Sequence, residues 1–526
     1  MLLVKNAVKY LCMLTAFCLS SISFYVYACW SNDWDDIDAR IKEKVALPFS
    51  ASYLLVCLLA IMFFHSSFSL NYYLLKAWKS YYSVGHYRLP QVKPTVIILS
   101  TIISSFCGAL LFAFAWLYSI QFYLVHRALQ FHLLYGTFIV PPVMLGILYF
   151  LLKGFRRSYT HRKESQMKGI IKSDRNASFG FAFAIMIVLL CFLYFSVIGF
   201  FIDSALLING QIPDKPRLIS HHGYGRKYPE NTLMSCTKAL ENPFSWGIEV
   251  DLWFSKDGQL FAHHDETFKR TTNIAKVFPD RVHKEVSSFD YSEILQLEAG
   301  SYLSKEFEGE KIPLFSDILR VLANFPDKVI IFDWSKVPDN FDLSIKGKEI
   351  DEILRVIDAA VENDGLKHNQ VILLNMKMSD EWLQIAGNIS KYRFARNAEG
   401  KIEDINHYTE KGGSIVNSHF SISNEEIKAL QKHDLDINMY TINKKYLFSQ
   451  MWCLGVSSVT TNELDLFGSM TEPIYFRRSK FLRLCIIFQT IYWVVLIFLL
   501  YIFVCTEVST IDRDDDRLLP TTPTLA

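Results

Sequence analysis

Long apolar runs crowd the two ends of this 526-residue chain, and a polar region from 211 to 475 separates them. A helix that crosses roughly 30 Å of hydrocarbon needs about 20 mostly uncharged residues. Runs of that kind lie before the polar region at 11–29, 53–70, 95–120, 133–152 and 179–202, and another follows it at 484–504. Short charged loops separate them, which buried helices of one soluble core would not require, so each run predicts a membrane-spanning helix. Lys5 and Lys9 precede the first run, which ends in Val26-Tyr27-Ala28 like a signal-peptide cleavage site. Its length favours an uncleaved anchor.

Inside the polar region the period changes. Strand-like runs at 217–223, 247–254, 328–334, 370–375, 392–395, 414–418, 437–442 and 458–461 alternate with helical stretches. That alternation is the sequence sign of parallel strand-helix units. Eight strands over this length predict an α/β fold, a TIM (β/α)8 barrel flanked by transmembrane α-helices. The domain plan is a five-span region over 1–210, the barrel over 211–475, a sixth transmembrane helix over 476–505 and a tail over 506–526.

Composition and charge add the environment. An apolar fraction of 51% fits a membrane protein, and 54 basic against 53 acidic residues give no electrostatic reason to expect a nucleic acid. The distribution of Lys and Arg orients the chain. Lys76, Lys79, Arg88 and Lys93 mark 71–93 as cytoplasmic, and the denser basic set from Lys153 to Arg175 marks 153–177 likewise. The segment 30–46 is acidic and 119–130 holds only Arg127. The polar region is then extracellular or luminal, at the plasma membrane or an endomembrane, with both termini cytoplasmic. Arg477, Arg478, Lys480 and Arg483 beside the last span run against this orientation.

On the outer side Asn388, in Asn388-Ile389-Ser390, is open to glycosylation, whereas Asn176 in a basic loop is not. Cys236 and Cys453 are the two cysteines of the polar region. An oxidising compartment would allow them to pair, because the first and last helices of a closed barrel are neighbours. The tail's Asp514-Asp515-Asp516-Arg517-Leu518-Leu519 has the form of an acidic-dileucine sorting signal, but reads first as a solubilising tail.

In a TIM barrel, polar residues that follow the strand cores gather at one mouth. The first strand ends in His221-His222-Gly223. Glu249 and Asp251 lie two residues apart on the second, so both carboxylates can face one hard cation. Asp333 closes the third strand. Three carboxylates with no Cys and no obligatory His favour Mg²⁺ or Ca²⁺ over zinc. His264 follows in Phe261-Ala262-His263-His264-Asp265-Glu266. Such a mouth suits phosphoryl chemistry: a cation neutralises phosphate oxygens while histidines exchange protons with the attacking and leaving oxygens. Singly, each residue has a structural explanation, such as helix capping by Asp. The ordered set carries the reading.

That set resembles the glycerophosphodiester phosphodiesterase family. The resemblance runs through His221-His222-Gly223, Pro229-Glu230-Asn231-Thr232, Glu249-Val250-Asp251 and Lys256-Asp257-Gly258. It continues through His264-Asp265-Glu266-Thr267, Arg270-Thr271-Thr272-Asn273, Gly455-Val456 and Val459-Thr460-Thr461-Asn462. The multispan flanks are similar to the family's membrane-bound branch. The resemblance implies an insertion after the second strand, here about 267–312, with His221 and His264 as general acid and base. It implies Glu249, Asp251 and Asp333 as ligands of a divalent cation, although many members have Glu at the third position. Glu230 and Asn231 would support the site, with Asn231 or Thr232 capping the first helix.

His222 departs from the pattern. Family members usually place Arg there, whose planar charged fork holds a phosphate oxygen through two donors. A shorter side chain that is mostly neutral at pH 7 weakens phosphate binding, unless Lys336 supplies the charge. If His222 binds phosphate only when protonated, activity rises as pH falls toward 6.

The function expected is a membrane-bound, metal-dependent phosphodiesterase acting on glycerophosphodiesters, lysophospholipids or GPI- and inositol-type diesters at the bilayer. The alternative is a catalytically weakened receptor or scaffold that retains the fold. A transporter is disfavoured, since the spans show no internal repeat and few ionisable groups.

Overall fold

The computed structural model describes residues 121–167, 175–334, 346–375, 392–398 and 414–516. The runs 11–29, 53–70 and 95–120 lie outside these residues, as do Lys336 and Asn388. The strands are β1 (Leu207–Ile208), β2 (Arg217–Ser220), β3 (Ser245–Phe254), β4 (Leu260–Ala262), β5 (Val329–Asp333), β6 (Val371–Asn375), β7 (Arg393–Ala398), β8 (Ile415–His419), β9 (Asp436–Tyr440), β10 (Ser458–Thr461) and β11 (Phe476–Arg477).

Eight of these strands form a closed parallel barrel, in the order β2, β3, β5, β6, β7, β8, β9, β10, with β10 pairing back onto β2. Each starts within two residues of the run that predicted it. Their near-continuous apolar character follows from burial on both faces. Leu218, Val250, Ile330, Phe332, Val416 and Ile437 pack outward in the core shared with the helices, whereas Ile219, Ile331, Ile372, Leu374 and Ile415 form a separate inner cluster. β4 folds back antiparallel on β3, and β1 pairs with β11 in a separate two-stranded sheet.

The helices used below are α1 (Gln121–Met167), α2 (Arg175–Phe201), α3 (Leu233–Glu241), α4 (Phe315–Ala323), α5 (Lys445–Cys453) and α6 (Arg478–Asp516). In α4, Phe315, Ile318, Leu319 and Leu322 recur at helical spacing and are all buried against the barrel. Thr232 caps α3 in a reciprocal capping box with Ser235. Residues 267–312 carry a small core of their own, in which Phe268, Val286, Phe289, Ile294 and Leu297 pack with Trp253 and Phe261.

Among the apolar helices, Leu145, Leu148 and Leu152 of α1, Phe192 of α2 and Leu496 of α6 pack together, while Ile139, Phe150, Leu190, Ile497 and Tyr501 are exposed. Arg127–Arg156 and Arg478–Cys505 are long and apolar enough to cross a membrane, and Ile185–Phe201 is a shorter apolar helix. The expected loop at 119–130 is helical from Gln121. Its Arg127 is buried and donates to the carbonyls of Phe420 (2.8 Å) and Ile422 (2.7 Å) and to Asn424 Oδ1 (3.2 Å). Gln450 of α5 donates to the Arg127 carbonyl. The start of α1 is thereby fastened to the loop after β8.

The bridge between Cys236 and Cys453 is not formed; both are free thiols. Cys236 on α3 is buried in the main barrel core, whereas Cys453 at the end of α5 packs with Leu134 and Phe481 of the apolar helices and with Leu206 before β1. The two helices turn their thiols into different clusters.

Candidate active site

The chain leaves β2 through His221 and turns sharply. His222 and Gly223 both have positive φ, 53° and 73°. A Cβ on Gly223 would fall 2.4 Å from Ser235 Oγ, so the turn needs glycine there. The turn stacks the rings of His221 and His222 with centroids 3.7 Å apart, and sets the His264 ring 4.8 Å from that of His222. The His222 N–H donates to Glu249 Oε2 (3.0 Å), and its Nε2 lies 3.2 Å from Asp251 Oδ2. Asn231 is also left-handed (φ 55°) and grips Asp251 twice, its Nδ2 donating to Oδ2 (2.9 Å) and its Oδ1 accepting from the backbone N–H (3.1 Å). Asn231 therefore supports a carboxylate, and the capping task falls to Thr232.

Each outer histidine has one nitrogen tied to an oxygen. His221 Nδ1–H donates to Asn462 Oδ1 (2.9 Å), and His264 Nδ1–H donates to Asp265 Oδ1 (2.8 Å). An amide oxygen only accepts, so this contact leaves His221 Nε2 without its proton in the neutral ring. That nitrogen lies 4.0 Å from Glu249 Oε2.

Glu230 reaches the site through Arg270. The guanidinium donates to both Glu230 oxygens (2.7 and 2.5 Å) and both Asp265 oxygens (2.7 and 2.9 Å). Burial alone would raise the pKa of Glu230 and of Asp265, but Arg270 holds both below the usual carboxylate range, with His264 adding to the effect. Glu249 and Asp251 behave oppositely. Burial pushes Glu249 up to about 8, with Asp333 adding repulsion, and pushes Asp251 up to about 7, with Glu249 adding repulsion. Burial works against charge on His264, yet the carboxylates of Asp251, Asp265 and Glu230 prevail and lift it to about 10. His222 moves the other way: burial first, then His221, His264 and Arg270, hold its pKa well below 6.5. It is a neutral ring over the range where phosphate capture would need it charged.

Two groups of donor atoms lie close enough to hold one ion: His221, His222 and Glu249, and His222, Asp251 and His264. Two buried carboxylates short of positive charge beside imidazoles fit a divalent cation. Asp333 stands at the end of β5 in register with Asp251 and acts on Glu249, but joins neither group. The site thus brings together His221, His222, His264, Glu249, Asp251, Glu230 and Asn231.

Three residues that the sequence left without a role complete it. Asp265 and Asn462 fix the outer histidines, and Arg270 joins Glu230 to Asp265. All three lie inside the motif segments, which was the available signal; their partners are as far as 241 positions away for Asn462.

Residues 221–466 match the model of the glycerophosphoryl diester phosphodiesterase family. Human glycerophosphoinositol inositolphosphodiesterase is 30% identical over 317 residues, 55% of this chain and 55% of that one. Glycerophosphodiester phosphodiesterase domain-containing protein 4 of mouse is 24% identical over 510 residues, 91% of this chain and 76% of that one. The crystal structure of a glycerophosphodiester phosphodiesterase from Agrobacterium tumefaciens aligns at 22% identity and TM-score 0.37, covering 48% of this chain and 100% of that one. The chain spans about half the length of the human inositolphosphodiesterase.

Proposed function

Because residues 221–466 belong to the glycerophosphoryl diester phosphodiesterase family, we propose that the chain is a membrane-bound phosphodiesterase that cleaves a glycerophosphodiester or a GPI- or inositol-type diester. One observation carries this: two histidines and two buried carboxylates converge at one end of the barrel, and each outer histidine has its far nitrogen fixed by a dedicated oxygen.

His221 acts as general base. With Nδ1–H held by Asn462, its Nε2 takes a proton from the attacking oxygen, either a substrate hydroxyl next to the ester or water. His264 acts as general acid, kept charged by Asp251, Asp265 and Glu230, and protonates the leaving oxygen. Glu249 and Asp251, with Asp333 beside them, would hold a divalent cation, which when bound neutralises phosphate oxygens. The three carboxylates alone would suit Mg²⁺ or Ca²⁺.

The barrel lies on the extracellular or luminal side of a six-span chain whose termini are cytoplasmic. The Arg127 fastening supports this, because it puts the start of the 127–156 span on the same side as the barrel. Lys336 would bring a positive charge to the substrate phosphate, and Asn388 would carry glycan.

The test uses the full chain in detergent with glycerophosphocholine, glycerophosphoinositol and a GPI-linked protein, each with Mg²⁺, Ca²⁺, Mn²⁺ or EDTA, beside His264→Ala. Cation-dependent release that the variant loses is expected. No turnover on any substrate with any ion, restored by His222→Arg, would favour the receptor or scaffold reading, whose support is the missing arginine.

A further inference from the structure

We propose that His222 is itself a ligand of the divalent cation, so that the site holds a mixed imidazole and carboxylate donor set suited to a later transition ion such as Co²⁺ or Zn²⁺ rather than Ca²⁺. This rests on the reading that Glu249 and Asp251 hold a cation, and it reassigns His222 from the substrate to the metal.

Geometry is the first argument. Two donors each about 2.1 Å from one ion lie about 3.0 Å apart at a right angle and about 3.4 Å apart at a tetrahedral angle. His222 Nε2 and Asp251 Oδ2 are 3.2 Å apart. Both groups of converging donor atoms contain His222, and it is the one residue they share. Glu249 falls in one group and Asp251 in the other, so His222 is the bridge between the two carboxylates.

The backbone is arranged to keep it there. Its left-handed conformation is held by donation from its N–H to Glu249 Oε2 and by acceptance at its carbonyl from the Asn231 N–H (3.0 Å). Asn231 in turn holds Asp251. Main chain and ring are therefore both referenced to the carboxylates, the usual way in which neighbouring groups orient a metal ligand.

Position argues against the phosphate role. His222 is 8% exposed, covered on one side by the stacked His221 ring and approached on another by His264. The His264 side chain, 43% exposed, is more open to an incoming diester. An arginine at 222 could donate to phosphate but not ligate a cation, whereas an imidazole has a lone pair to offer. The substitution exchanges one task for the other. Ca²⁺ and Mg²⁺ prefer oxygen donors, and imidazole favours later divalent ions.

The test uses the purified full chain in detergent, stripped and reloaded with Mn²⁺ or Co²⁺. Pulsed electron paramagnetic resonance of bound Mn²⁺ should show an imidazole nitrogen coupling that His222→Gln removes, with Mn²⁺ affinity falling tenfold or more. A gain of signal guards against a misfolded variant: His222→Cys loaded with Co²⁺ should gain a thiolate-to-cobalt charge-transfer band that the parent chain lacks. Mn²⁺ that binds equally well to His222→Gln with the coupling intact, and no new band with Co²⁺, would overturn the assignment of His222 alone. Failure of the parent chain to bind any of these ions in stoichiometric amount would overturn the cation reading and this inference with it.

Discussion

Two pairs of carboxylates meet at His264, and they are held on opposite terms. Glu230 and Asp265 share one guanidinium, which donates to all four of their oxygens. Glu249 and Asp251 are no less enclosed, but among the described residues their ion-pair partners are histidines only. The first pair is held below the usual carboxylate range; the second is pushed up to about 8 and 7. Residue type and burial are alike, so the difference lies in the charges they face: Arg270 with His264 on Glu230, and His264 with Arg270 on Asp265. The set held by Arg270 braces His264, the acid of the proposed function. The set without an arginine is the one the proposed function gives to a cation.

The sharpest way to break this contrast is at the histidine both pairs influence. His264→Ala should lower kcat by about 1,000-fold, in the range of a lost general acid. A comparable rate in the variant would place the acid elsewhere. Arg270→Ala should destabilise the protein by about 3–5 kcal/mol, because it strands two buried carboxylates. Arg270→Lys should recover only part of that, since an ammonium cannot make both bidentate contacts; denaturant titration of the two variants checks the order. Asn462→Ala should cost about 10- to 100-fold in kcat with a smaller change in KM, as expected for a group that orients the base. Smallest of all is the expected response to pH between 5.5 and 7.5 from His222. Its pKa lies well below 6.5, so no rise in rate toward pH 6 should come from it; pH profiles of the same shape for the parent and His222→Gln, each at saturating cation, would agree.

The strands were legible in the sequence because each barrel strand is buried on both faces, and apolar runs bounded by polar turns survive as a local pattern. The same locality exposed Glu249 and Asp251, two positions apart on one strand, and the two histidine motifs. What stayed hidden was distance between segments. Nothing near Arg270 shows that it spans Glu230, 40 positions earlier. Nothing near His222 shows that its ring nitrogen lies 3.2 Å from Asp251 Oδ2, so its loss of an arginine reads as weakened phosphate binding. The Cys236 and Cys453 bridge failed for a related reason. α5 precedes β10, the eighth barrel strand, so it is not the last helix of the barrel, and the two thiols point into different clusters.

Stability against pH tests directly whether Glu249 and Asp251 hold a cation. Glu249 and Asp251 have folded-state pKa values above their unfolded ones, so their contribution is fully present below about pH 4 and is lost as pH rises through about 7 and 8. Glu230 and Asp265 have the opposite sign, and contribute above the ordinary carboxylate pKa and lose it as pH falls. The melting temperature of the EDTA-treated full chain in detergent, measured from pH 5 to pH 9 with and without a saturating divalent cation, separates the two. The prediction is a decline with rising pH through 7 to 8 that the cation abolishes and that Glu249→Gln flattens. A melting temperature indifferent to both pH and cation over this range would contradict it.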